Sequence, residues 1–289
     1  MKIEFQNLSK RYGRKYALRD FTAELTGSVY GLLGANGAGK TTLINILVGI
    51  LKKDGGEVLV DGKRADTLGR EFLAKIGYMP QYPLFYKDFT VREFLAYMSA
   101  LKGISAAKGK GRASELLEIV NLADAADKRI GALSGGMRQR VGIVQAMLGD
   151  PEILILDEPT AGLDPHERIR FRNLITQFSE GRIVLLATHI VPDVECIARE
   201  VIIVKEGRLL RQDSPAALAG QLSGKVWTVM AQDGESHEQF LGHPISNMQR
   251  VENGVCLRVL ANERPSPDAM EAVPSLEDVF LYSLEGNRV

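Results

Sequence analysis

Apolar positions along the chain switch between strand-like runs and helical spacing, and the switches outline an alternating α/β architecture. Ile3–Leu8 and Arg19–Leu25 read as strands, punctuated by Gly13 and Gly27. Val29–Leu33, Ile153–Leu156, Ile183–Ala187 and Val201–Val204 are short, nearly unbroken apolar runs. Such runs suit parallel strands covered on both faces. Glu57–Val60 and Ile76–Met79 read as further strands, the second stopped by Pro80. Leu43–Leu51 predicts a helix apolar on nearly every side. Val91, Phe94, Leu95, Met98 and Leu101 recur at helical spacing behind a capping box, Thr90-Val91-Arg92-Glu93. Leu116–Val120 marks another helix, and Lys108-Gly109-Lys110-Gly111-Arg112 reads as a solvated basic loop before it. Met137, Val141, Val144 and Leu148 line one face of a helix that Gly149-Asp150-Pro151 closes. Pro165 can start the next, over about 166–179. Arg208–Leu210 pairs with Val201–Val204 as a hairpin around Glu206-Gly207.

The pattern weakens after about Gly220. Lys225–Ala231 and Val255–Leu260 alternate like strands of a small sheet. Pro274-Ser275 then caps a terminal helix carrying Leu276, Val279, Phe280 and Leu284 on one side. Residues 221–289 therefore read as a small appended domain with no evident chemistry.

Composition narrows the function classes. Lys+Arg and Asp+Glu both number 36, so the formal net charge is zero, unlike the basic excess of a general nucleic-acid binder. Cys196 and Cys256 are isolated, which disfavours a disulfide framework or a zinc site. No apolar run approaches the roughly 20 residues of a membrane span, and Met1–Phe5 alternates like a strand rather than a targeting segment. A soluble chain is expected, with any membrane crossing left to another protein.

The candidate chemistry lies at strand ends. Gly34-Ala35-Asn36-Gly37-Ala38-Gly39-Lys40-Thr41-Thr42 fits G-x-x-x-x-G-K-[ST] between a buried strand and a helix. Its glycines let backbone N–H groups approach a polyphosphate, where the helix N-terminus adds partial positive charge. Lys40 would reach the β- and γ-phosphates, and the Thr41 hydroxyl would bind Mg2+. Leu133-Ser134-Gly135-Gly136-Met137 opens a second helix with a serine in N-cap position and two glycines, a second anion-binding end. Ile153–Leu156 delivers Asp157-Glu158 at its carboxyl end, where open α/β sheets bind ligands. Ile183–Ala187 ends likewise at Thr188-His189. Tyr12 and Tyr16 each offer a face on which an adenine could stack.

Together these motifs resemble the ABC-type ATPases. Gly34–Thr42 is similar to the Walker A loop, Gln81 to the Q-loop, and Leu133–Met137 to the signature. Ile153–Glu158 resembles Walker B, Ala161–Asp164 the D-loop, and His189 the switch histidine. The match spans roughly residues 2–220. Met137 stands where the family commonly has glutamine, and Ala35 where it commonly has proline. The resemblance implies an α/β fold: a P-loop NTPase core of ABC type, an antiparallel β subdomain and a helical signature subdomain at about 83–150. The first 220 residues would form the ATPase domain, with a small C-terminal α+β appendage at 221–289.

The implied cofactors are ATP and Mg2+. Tyr12, Gly34, Ala35, Asn36, Gly37, Ala38, Gly39, Lys40, Thr41, Thr42 and Gln81 would bind ATP. Thr41, Gln81 and Asp157 would arrange the metal. Glu158 would act as general base, with His189 and Lys40 completing the catalytic set. Ser134, Gly135, Gly136 and Asp164 would contact ATP held by a second copy. The tail Pro274–Phe280 resembles that of ATPases paired with bacterial drug, lipid or peptide-antibiotic exporters. The implied role is ATP hydrolysis driving export through a separate permease at the inner face of the cell membrane. An importer subunit, or a soluble ABC ATPase acting on ribosomes or DNA, is the alternative. A P-loop kinase ranks below these, since it has no use for Leu133–Met137.

Overall fold

The computed structural model describes residues 1–232, 242–252 and 254–285. An antiparallel sheet is built first, from β1 (Lys2–Tyr12), β2 (Lys15–Thr26), β4 (Gly55–Val60) and β5 (Lys63–Arg64), in the order β2-β1-β4-β5. Between β2 and β4 the chain makes β3 (Val29–Leu33) and α1 (Lys40–Leu47). Leu43, Ile44, Ile46 and Leu47 of α1 are all buried, as its apolar sequence demands. The helix stops short of the expected Leu51 because Gly49 turns left-handed, at φ +76°.

After the short helices α2 (Ala65–Leu68) and α3 (Arg70–Ala74) comes β6 (Ile76–Met79), then a helical layer of α4 (Val91–Leu101), α5 (Ala106–Ile119) and α6 (Gly135–Met147). The capping box is present in full at Thr90 and Glu93. The basic stretch Lys108–Arg112, expected as a loop, is instead helical within α5. Gly109 is buried there, and a Cβ at that position would lie 2.8 Å from that of Ser99 on α4. The glycine is a point of close helix approach rather than a chain break.

The central sheet continues through β7 (Ile153–Asp157), β8 (Ile183–Thr188), β9 (Glu200–Lys205) and β10 (Arg208–Asp213), with α7 (Pro165–Phe178) and α8 (Val191–Glu195) in the connections. Its order is β10-β9-β3-β8-β7-β6. All pairs are parallel except the β9–β10 hairpin. Ile153, Leu154, Ile155 and Leu156 have no exposed surface, each burial contributing about 1.5–3 kcal/mol. The same strand order sets the carboxyl ends of β3, β8, β7 and β6 side by side. Leu33 pairs with Thr188, Ala187 with Asp157, and Leu156 with Met79.

The remainder is α9 (Pro215–Gly220), an antiparallel sheet and a last helix, α10 (Leu276–Glu285). The sheet holds β11 (Val226–Gln232), β12 (Ile245–Val251), β13 (Gly254–Leu260) and β14 (Met270–Glu271), in the order β12-β13-β11-β14. β12 carries mostly exposed side chains. Leu218, Leu222, Val226, Leu260, Leu276 and Val279 join the same apolar core as Val184 and Val201 of the central sheet and Val194 of α8. Asp278 of α10 is fully buried and meets Arg258 Nη2 at 2.7 Å, while also accepting from Ser246 Oγ and from Ser275 N.

Candidate active site

The chain leaves β3 through Gly34 and enters α1 at Lys40, and the turn between them wraps a cavity of about 380 Å3. Two glycines are required by geometry. Gly39 has φ +111°, and a Cβ there would sit 2.4 Å from the Ala17 carbonyl oxygen. A Cβ at Gly34 would sit 2.7 Å from the Val204 carbonyl oxygen. No side chain caps α1, so its first N–H groups are left for a ligand. The Lys40 side chain folds over the loop, its Nζ 2.7 Å from the Gly34 carbonyl oxygen and 3.7 Å from Glu158 Oε1.

Asp157 and Glu158 end β7 beside this loop. Thr41 Oγ1 donates to Asp157 Oδ2 at 3.2 Å, while Asp157 Oδ1 is buried without a protein partner. Burial pushes the Asp157 carboxyl above the usual carboxylate range; the Thr41 hydroxyl opposes the shift. Burial likewise raises the neighbouring Tyr78 hydroxyl to about 12, with the Asp157 charge adding to it. Glu158 stands at φ +48°, left-handed backbone that a non-glycine residue adopts only under constraint. Its N–H donates to the Ala187 carbonyl oxygen at 2.8 Å, which secures the turn. Its side chain is buried, with Oε2 2.9 Å from His189 Nδ1 and 3.2 Å from Thr188 Oγ1.

Tyr12, Ala35–Thr42, Gln81 and Glu158 all line the cavity. Tyr16 does not: its ring lies between the guanidinium groups of Arg11 and Arg19, at 5.0 and 5.4 Å. Ser134, Gly135, Gly136 and Asp164 are not among the cavity's lining residues either. Ser134 caps α6, accepting from Met137 N at 3.2 Å, and both it and Gly135 are exposed. Gly136 backs onto α7, where a Cβ would lie 2.6 Å from Glu167 Oε2. Asp164 is exposed and caps α7 by accepting from Glu167 N at 2.8 Å.

This geometry has relatives. A family model described as "ABC transporter" matches residues 20–161. The Nod factor export ATP-binding protein I of Burkholderia orbicola (strain AU 1054) is 37% identical over 218 residues, 75% of this chain and 72% of that protein. The chain belongs to the ATP-binding proteins of ABC transporters. It is an ATPase of that family and binds ATP as the transporter's nucleotide-binding subunit. The protein of the same name from Rhizobium sp. (strain N33) is 34% identical over 292 aligned residues, 96% of this chain and 95% of that one. Among solved structures, an ATP-binding cassette dimer in a post-hydrolysis state with ADP and Pi is similar. Its TM-score is 0.66 at 26% identity, covering 73% of this chain and 98% of that one.

Within this ABC ATPase, two features of the site escape a reading of its motifs. Lys15 and Ala17 of β2 also line the cavity, brought there by a strand remote from any motif. The β9–β10 turn is tied to the phosphate loop: Gly207 N donates to the Ala38 carbonyl oxygen at 2.9 Å. Gly207 has φ +77°, and a Cβ there would meet the Ala17 carbonyl oxygen at 2.5 Å. Two residues back, Lys205 Nζ donates to the Leu284 carbonyl oxygen of α10 at 2.6 Å.

Proposed function

We propose that this ATPase powers export through a separate membrane-spanning permease, working as a head-to-tail pair of copies with ATP held between them. The observation that carries the pairing is the separation within one chain. Lys40, Gln81 and Glu158 surround one cavity, whereas Ser134 and Gly135 at the start of α6 are exposed and stand outside that lining. A second copy would supply Ser134, Gly135, Gly136 and Asp164 to the open side of the cavity. Export is supported by the naming of the relatives, including one aligned over nearly the whole chain. Among the described residues no helix is long and apolar enough to cross a membrane, so the crossing falls to a partner. That partnership would hold the ATPase at the inner face of the membrane.

The geometry supports the following division of roles. Gly34, Ala35, Asn36, Gly37, Ala38, Gly39 and Thr42 cradle the phosphates, and Lys40 neutralises them once it leaves the Gly34 carbonyl. Tyr12, exposed at the cavity rim, offers its ring to the adenine. Thr41, Asp157 and Gln81 would hold Mg2+, and the unpartnered Asp157 Oδ1 fits a hard cation that prefers oxygen ligands. When bound, the cation would neutralise charge developing on the phosphates. Glu158 takes the proton of the attacking water, and His189 holds the γ-phosphate in line.

The Glu158→Gln variant tests this reading. It should retain ATP binding and lose at least about 100-fold in turnover. Turnover near that of the wild type would remove Glu158 as the base. Recovery of a polytopic membrane protein with the tagged chain from detergent-solubilised native membranes tests the partnership; its absence there would sink the export reading.

A further inference from the structure

We propose that Thr188 is a positioning residue that decides which oxygen of Glu158 receives the proton from water, an inference resting on Glu158 as the base. Thr188 ends β8 and has no exposed surface. Its Oγ1 accepts the Ile190 N–H at 3.0 Å. A hydroxyl has a single proton. With the backbone amide on a lone pair, that proton points to Glu158 Oε2, 3.2 Å away. His189 Nδ1 faces the same oxygen at 2.9 Å. Oε2 is therefore held by two groups. Oε1 is left toward the phosphate loop, 3.7 Å from Lys40 Nζ.

The two groups on Oε2 are not equivalent. The His189 side chain is 50% exposed and can swing toward a γ-phosphate. Thr188 is fixed by β8 and by the Ile190 amide. When His189 turns to the phosphate, Thr188 still holds Oε2, so the carboxylate plane does not rotate and Oε1 stays aimed at the water. The water then gives its proton to Oε1 as its oxygen bonds to the γ-phosphorus. The bond from that phosphorus to the leaving oxygen breaks, and its electron pair departs with ADP. A base whose accepting oxygen is already oriented needs no reorganisation at the moment of reaction.

Steady-state ATP turnover of the full chain with Mg2+, together with thermal melting, tests the proposal. Thr188→Val keeps the shape and removes the hydroxyl. Its kcat should fall about tenfold while KM for ATP stays within about twofold, the split expected when an interaction matters in the transition state only. Thr188→Ser restores the donor and should recover kcat to within about threefold of wild type. A Thr188→Val kcat near the wild-type value overturns the proposal, as does a serine variant as slow as the valine one. So does a fall in kcat that comes with a raised KM and a lowered melting temperature, which is what a merely structural residue would give. Should the valine variant not fold, Thr188→Ala is judged by the same criteria. Glu158→Gln is measured alongside. If it turns over normally, the base assignment itself has failed. If it is inactive while Thr188→Val is normal, only the role of Thr188 has failed.

Discussion

Two helices of this chain start at glycine-rich turns, and they are finished differently. At α1 the turn glycine is left-handed, no side chain caps the amides, and the chain folds around them to make a cavity floored by a buried lysine. At α6 the Ser134 hydroxyl satisfies one of the helix's own amides, and the end lies on the surface. The first is a pocket by itself. The second can close around an anion only when another surface faces it. The same local arrangement, a glycine-rich turn at a helix start, thus lines a cavity in one place and lies outside it in the other.

The contrast is tested most severely by mixing two variants. Lys40→Ala and Ser134→Arg should each lose at least about 100-fold in turnover. Mixed in equal amounts, they should recover about a quarter of wild-type turnover: half of randomly formed pairs are mixed, and each mixed pair holds one undamaged site. No recovery would mean that both helix ends act within one chain. A milder change sharpens the same point. Ser134→Ala should slow turnover about tenfold and cost about 1 kcal/mol of stability through the lost cap, while ADP binding to the isolated chain is unchanged. Weakened ADP binding would place α6 at the cavity of its own chain.

The smallest effect on turnover is expected far from both helix ends. Asp278→Ala should leave kcat within about twofold yet cost about 3 kcal/mol of stability by stranding Arg258. Burial works to raise the Asp278 carboxyl, but hydrogen bonds from Arg258, Ser246 and Ser275 outweigh it and hold it below the usual aspartate range. A lowered acid of this kind stabilises the fold fully above its unfolded value, near 4, and the contribution is lost as pH falls through the lower folded value. Melting of the wild type should therefore fall more steeply below about pH 4 than melting of Asp278→Ala. Parallel curves would remove that carboxylate from the acid response.

The motifs at the strand ends were legible because each is set by local chemistry, and the parallel sheet does the rest: adjacent strands place Gly34, Gln81, Asp157 and His189 in one row. What the sequence hid depends on partners remote along the chain. Lys108–Arg112 has the glycines and charges of a loop, and only the approach of Ser99 explains why a glycine belongs inside that helix. Strand β12 lies at a sheet edge with little buried surface, so it lacks the apolar alternation by which strands are recognised. Lys15 and Ala17 reach the cavity through the fold of β2 alone. Thr188 did leave a signal, a hydroxyl residue directly before His189 at the end of an apolar strand. Its partners, Glu158 and the Ile190 amide, come together only in three dimensions.

The hairpin turn between β9 and β10 has a consequence for anyone who would trim or exchange the tail of such a cassette. Gly207 supports the phosphate loop, and Lys205 grips the end of the last helix. The same helix shares its apolar seam with the ATPase layer. A cut near residue 220 would not separate two modules along a polar joint. It would open an oily scar on the nucleotide-binding half and release a clamp two residues from the turn that shapes the phosphate loop. A grafted tail would have to match that seam as well as its own interior.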